Sequence, residues 1–208
     1  EVPDLAPASA DLICTSMALH WVNDLPGTLK TIRRALRPNG VFLGAFLGGE
    51  TLAEMRSSFV LADLERRGGV QPHMSPLVSV ADAGSLLQSA GFALPTVDTE
   101  TIRIGYPDAF TLWHHIRSMG ESNATLNRSS VGDMSSLLAA AAIYSEVYGD
   151  EAGIPASFQV IYMIGWGPHE SQQKPLTRGS AKMSLKDLEL DTINDPESSL
   201  PDPFKPKA

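Results

Sequence analysis

The stretch Asp11-Leu12-Ile13-Cys14-Thr15-Ser16-Met17-Ala18-Leu19-His20-Trp21-Val22-Asn23-Asp24-Leu25 decides the fold. Asp11 to Ser16 predicts a short buried strand, with Cys14 as apolar filler inside it. Met17 to Trp21 predicts a loop at the C-terminal end of that strand, and Asp24 suits the N-cap of a helix. Such a strand–loop–helix unit belongs in the middle of a doubly wound α/β domain, yet only ten residues precede it and the chain begins with Glu1. The expectation is the back half of a nucleotide-binding fold, without its first strands.

Later segments extend the pattern. Leu25, Leu29, Ile32 and Leu36 mark one face of a helix from Asp24 to about Leu36, which Pro38-Asn39-Gly40 should stop. Val41 to Leu47 is apolar except for Gly44, as in a parallel strand covered on both faces. Helical spacing resumes over Thr51 to Arg66, and Arg67 to Pro76 predicts a loop. Val80 to Ala90 predicts a short helix with Gly91 at its C-terminal cap position. Thr96 to Ile104 holds six β-branched residues in nine, hence a strand. Pro107 to Met119 and Gly132 to Tyr148 predict helices, the second with Met134, Leu137, Leu138, Ala141, Tyr144 and Tyr148 inward. Phe158 to Trp166 predicts a last strand. Together these give a domain over residues 1–167. Residues 168–208 hold six of the fifteen prolines and few large apolar residues, which predicts a flexible, disordered tail with at most a turn over Leu185 to Leu190.

Bulk properties exclude several classes. The 208 residues carry a net charge of −8, against the basic stripe of a nucleic-acid binder. The largest apolar runs fall short of the roughly 18 residues that cross a bilayer. With one cysteine there is no intrachain disulfide.

Ligands of open α/β sheets bind at the carboxyl ends of the strands. Two segments qualify, Thr15 to Trp21 and Leu47 to Glu50. The element order, β-α-β-α-(α)-β-α-α-β, fits the C-terminal half of a class I methyltransferase (Rossmann-like) sheet with helical insertions. The motif Ala18-Leu19-His20-Trp21-Val22-Asn23-Asp24-Leu25 resembles the segment after strand 4 of class I S-adenosylmethionine-dependent methyltransferases. Pro38-Asn39-Gly40-Val41-Phe42, Gly48-Gly49-Glu50-Thr51-Leu52, Met119-Gly120-Glu121-Ser122-Asn123, Ile161-Tyr162-Met163-Ile164-Gly165-Trp166 and His169-Glu170-Ser171-Gln172 resemble the mitochondrial complex I assembly factor 5 family. That resemblance implies a methyltransferase fold and arginine hydroxylation of a complex I subunit. It also implies a complex I subunit or assembly intermediate as partner, and a place on the matrix side of the inner membrane with peripheral membrane association.

The same resemblance implies that Ser16, Leu19, His20 and Trp21 flank the methionine end of S-adenosylmethionine. Glu50, Glu121 and Asn123 are candidates for a cationic substrate, because a carboxylate is what bidentate guanidinium recognition requires. The Gly-rich loop and the ribose-binding acid of class I enzymes are not present, and Gly48-Gly49 follows the wrong strand to replace them. This chain alone is therefore expected to be inactive. None of His20, His73, His114, His115 and His169 pair at metal-ligand spacing on one helix, so no metal site is expected and the oxygen chemistry of a hydroxylase is not explained by these residues. Two rivals remain. One is a small-molecule or acyl-carrier carboxyl O-methyltransferase, whose biotin-pathway members also show a strand followed by Leu-His-Trp. The other is a non-catalytic assembly partner.

Overall fold

The computed structural model describes residues 5–122, 134–174 and 179–180. Its sheet has four strands in the order β1 (Ala10–Ser16), β2 (Leu36–Leu47), β4 (Ile154–Trp166), β3 (Ala93–Tyr106). β1 and β2 are parallel, while β4 runs antiparallel to both of its neighbours. The crossover between β1 and β2 is α1 (Leu25–Ala35), as a parallel pair requires. Asp24 caps α1 by accepting from the Gly27 amide at 2.9 Å. Leu25, Leu29 and Ile32 then bury against Phe42 and Phe46 of β2 and Ile161 and Met163 of β4. α3 (Val80–Ala90) covers the same face with Ala83 and Leu87. It is capped by Ser79 and ends on Gly91 at φ +83°, the left-handed conformation that glycine adopts without penalty.

A second core lies among α2 (Ala53–Arg67), α4 (Ala109–Ser118), α5 (Met134–Tyr148) and the start of β4. The Gly48–Leu52 turn is stitched to β4. Gly48 and Leu52 amides donate to the Gln159 and Ser157 carbonyls, and Thr51 Oγ1 and the Gln159 backbone exchange two bonds at 3.1 Å. A Cβ at Gly48 would sit 2.5 Å from Gln159 Oε1, so that side chain, which accepts from the Glu50 amide, would have to shift to admit one. Glu54, in the first turn of α2, is buried and accepts from both the amide and the hydroxyl of Ser157. These bonds fix where the C-terminal end of β2 delivers the chain.

Four sequence expectations need correction. β1 is not buried: among the described residues it is an edge strand paired with β2 alone, Leu12 is 56% exposed, and Cys14 is exposed. β2 begins at Leu36, so Pro38-Asn39-Gly40 lies within the strand as an irregularity, where the register against β1 shifts and Asn39 takes φ +62°, a left-handed region asparagine tolerates. β3 and β4 both start earlier than predicted, since their long register makes strand of residues with weak local propensity. α5 buries Ser136, Ala139, Ala140, Ala141 and Tyr144, while Met134 and Leu138 are exposed. The close approach of α5 to α2 selects the small residues for the interface. The chain divides into units Glu1–Glu170 and Ser171–Ala208. The predicted tail beyond residue 180 and its turn at Leu185 to Leu190 lie outside the described residues.

Candidate functional site

After β1 the chain turns sharply. Met17 takes φ +49° and its amide donates to the Ala45 carbonyl of β2 at 2.7 Å. A short 3-10 turn, Leu19–Trp21, comes next. Leu19 drops into the core beneath it, and His20 is directed across the end of the sheet with its side chain 3% exposed. The Leu47 amide approaches His20 Nδ1 at a long 3.5 Å, and Nε2 lies 2.9 Å from Glu121 Oε1. An amide donor at Nδ1 leaves the proton on Nε2, so the ring donates to the carboxylate.

Glu121 reaches that position through the end of α4. The Gly120 amide donates to the Arg117 carbonyl and the Glu121 amide to the Ile116 carbonyl, with Gly120 at φ +81°. This six-residue Schellman arrangement needs a left-handed residue at Gly120 and throws the following side chain back over the helix end. The polar turn that Met119-Gly120-Glu121 predicts and the placement of an acid on the site are therefore one feature.

His20 and Glu121 form one wall of a cavity of about 270 Å³. The remainder is apolar apart from Thr51 and Ser75, and Met17, Met55, Met74 and Met119 contribute four polarizable, flexible side chains. Trp21 stands at its mouth, 47% exposed, its ring 5.7 Å from that of His20. Leu52 also lines it and, like Met17, holds a left-handed backbone at φ +52°. Two such non-glycine residues in one cavity wall mark backbone strain of roughly 1–3 kcal/mol each, of the kind found at binding sites. A second cavity of about 580 Å³ adjoins the first, and His20, Trp21, Met74, Ser75 and Leu77 line both.

Of the predicted site residues, His20, Trp21 and Glu121 are brought together, although His20 and Glu121 are 101 residues apart. Leu19 serves the core and lines only the second cavity. Ser16 is exposed and lines neither cavity. Glu50 is exposed on the Gly48–Leu52 turn, its amide held by Gln159 Oε1 at 3.1 Å, and lines neither cavity. Asn123 lies outside the described residues. Sequence reasoning did not find the contribution of Met74, Ser75 and Leu77, which come from a loop with no periodic signal, nor the bond between His73 and Asp63.

Among the described residues, no group of three or more His, Cys, Asp or Glu side chains stands close enough to hold a metal ion. The described residues also do not fit S-adenosylmethionine by themselves. Their largely apolar, methionine-rich cavity lining offers a single carboxylate, Glu121, and no second one to accept from the ribose hydroxyls. No helix among the described residues is long and apolar enough to cross a membrane.

Known proteins resemble this chain in sequence and in fold. A family model described as a methyltransferase domain matches residues 1–44. The chain is 51% identical over 179 residues to the mitochondrial arginine-hydroxylase NDUFAF5 of Danio rerio, a match covering 86% of this chain and 56% of that protein. It is 33% identical over 175 residues to the malonyl-[acyl-carrier protein] O-methyltransferase of Xylella fastidiosa, covering 84% of this chain and 56% of that protein. The chain thus spans about half the length of the curated relatives it matches. Among solved structures, a putative methyltransferase from Bacillus halodurans superimposes with a TM-score of 0.50 at 14% identity, over 81% of this chain and 74% of that one. By fold the chain is a methyltransferase-like α/β protein, and over the part it spans it is identical to the mitochondrial arginine-hydroxylases at about half of all positions.

Proposed function

We propose that this chain serves respiratory complex I assembly in mitochondria as a methyltransferase-fold protein whose cavity takes an arginine side chain of a protein substrate. The observation that carries this is the Glu121 carboxylate. It stands 22% exposed on the wall of an apolar cavity, with one oxygen engaged by a buried histidine. A guanidinium has a planar fork of donors suited to a carboxylate and an aliphatic stem suited to methionine walls. The similarity to arginine-hydroxylases supports the choice of arginine, and the mitochondrial location of those proteins supports the compartment. The matrix side of the inner membrane and peripheral association with it are part of the same proposal.

S-adenosylmethionine is the cofactor that the methyltransferase domain implies, and of it the described residues would meet only the methionine end, at His20 and Trp21. Arginine binding does not depend on it. The acyl-carrier methyltransferase reading has weaker support from the site, because a carboxylate substrate would meet Glu121 at close range and be repelled.

The test is titration of an arginine-bearing peptide against the 208-residue chain. Glu121→Gln should weaken binding about tenfold or more, the loss expected for a charge-assisted pair, without lowering thermal stability. A lysine-for-arginine peptide should bind less well, since an ammonium cannot make the forked contact. Equal binding to wild type and Glu121→Gln would remove the arginine reading. In cells, normal complex I levels after depletion of the protein would remove the assembly role.

A further inference from the structure

A second histidine–carboxylate pair lies apart from His20 and Glu121. Asp63, on α2, has no solvent exposure. Its Oδ2 accepts from the Gln71 amide at 2.9 Å and from His73 Nε2 at 2.8 Å. Its Oδ1 has no partner among the described residues. A carboxylate buried this way is costly unless it is bonded, so its donors are held where it needs them. One helical turn before it, Phe59 stacks on the His73 ring with centroids 4.3 Å apart and planes 25° from parallel. His73 is thus gripped by α2 through both its ring face and its edge.

Immediately after His73 the chain forms the shared wall of the two cavities. Met74, Ser75 and Leu77 line both, and Pro72, Pro76 and Val78 line the larger. The far end of this strap is also tied, because the Gly49 amide donates to the Val78 carbonyl at 2.9 Å. Between the two ties the strap is irregular, and its prolines restrict the conformations open to it.

We propose that Asp63 and His73 are positioning residues for the candidate site, clasping the strap of residues 71–78 onto α2 and so fixing the wall against which the arginine stem packs. This rests on the arginine reading for its substrate but not for its geometry. The clasp has a mechanical consequence of its own, which can be measured with no ligand present.

Two variants of the 208-residue chain separate the outcomes. His73→Phe keeps a ring to stack on Phe59 and removes the donor to Asp63. His73→Gln places an amide nitrogen close to the position of Nε2. In His73→Phe, amide hydrogen exchange across residues 71–78 should quicken about tenfold while α5 and β4 keep their protection. Affinity for the arginine-bearing peptide should fall about fivefold or more, and His73→Gln should restore both readouts. If His73→Phe does not fold, Asp63→Asn supplies the comparison, because it removes the buried charge and keeps an oxygen for Gln71. Unchanged exchange in the strap, or failure of His73→Gln to restore it, would overturn the clasp. Faster exchange with unchanged peptide affinity would overturn the positioning role. If the wild-type chain binds no arginine peptide, the arginine reading fails, and the exchange data still decide the clasp.

Discussion

Tyr144 shows how a single buried group couples this fold to pH. Its side chain has no solvent exposure, and its hydroxyl donates to the Pro155 carbonyl at 2.7 Å, joining α5 to the start of β4. Burial above all, and then the nearby Glu54 charge, pushes its ionisation well above the ordinary value of 10.0. A raised value means that the folded state holds the proton longer than the unfolded state does. The stability contributed is complete below about pH 10 and is lost as pH climbs toward the folded-state value. Tyr144→Phe should cost about 1 kcal/mol near neutral pH, because the Pro155 carbonyl loses its donor. It should also flatten the decline in stability above about pH 10. Urea unfolding of both proteins across that range checks the two effects, and parallel declines would refute the assignment. The sequence shows which residues are aromatic but not which hydroxyl is dry. The same limit applies at the site. His20 was legible through the family resemblance of a segment that follows a strand, and Glu121 as a loop carboxylate suited to a guanidinium. Their bond, across 101 residues, was not legible, because it depends on β4 threading between β2 and β3.

At the scale of elements, α5 is where pattern reading misled. The helix Met134–Tyr148 is apolar almost all round, so several faces satisfy a 3.6-residue period equally well. Size breaks the tie. α2 and α5 pack together through Ala139, Ala140 and their neighbours, and the larger Met134 and Leu138 are left 64% and 53% exposed. The consequence is an inverted tolerance to substitution. Ala140→Leu should destabilise by roughly 1–3 kcal/mol, since a fully buried alanine leaves no room for three more carbons. Leu138→Ser should change stability by no more than about 0.5 kcal/mol. Thermal unfolding of the two variants ranks them, and a larger loss for Leu138→Ser would restore the face the sequence suggested. By contrast α1 and α3 were legible in detail, because each has a capping side chain, Asp24 or Ser79, and a narrow apolar stripe.

For the whole molecule, the decisive feature is that the two faces of the sheet are unequal. Residues paired across strands share a face, so the register groups Leu12, Val41 and Trp166, then Cys14, Leu43 and Ile164, then Ser16, Ala45 and Tyr162, all opposite Phe42 and Phe46. The Phe42 side carries α1 and α3. On the other side Leu12 is 56% exposed, Leu43 and Tyr162 are each 38% exposed, and Cys14 is exposed too. The sequence anticipated both faces covered, because Val41 to Leu47 is apolar except for Gly44. That composition is real, but here Leu43 meets solvent and Val41 and Ala45 are only partly covered, while Phe42, Phe46 and Leu47 are buried. A contiguous apolar sheet face beside an unpaired parallel edge strand drives association between copies. The 208-residue chain, studied alone, should therefore sediment as dimers or larger species at micromolar concentration. Leu43→Lys should shift it toward monomer, because a lysine in the middle of the patch keeps its ammonium in water while its stem covers the sheet. Leu94→Lys is the control, since Leu94 is 47% exposed but lies outside the three paired rows. Analytical ultracentrifugation of the three proteins decides the matter. A monomeric wild-type chain, or equal effects from the two lysines, would show that this face does not govern association.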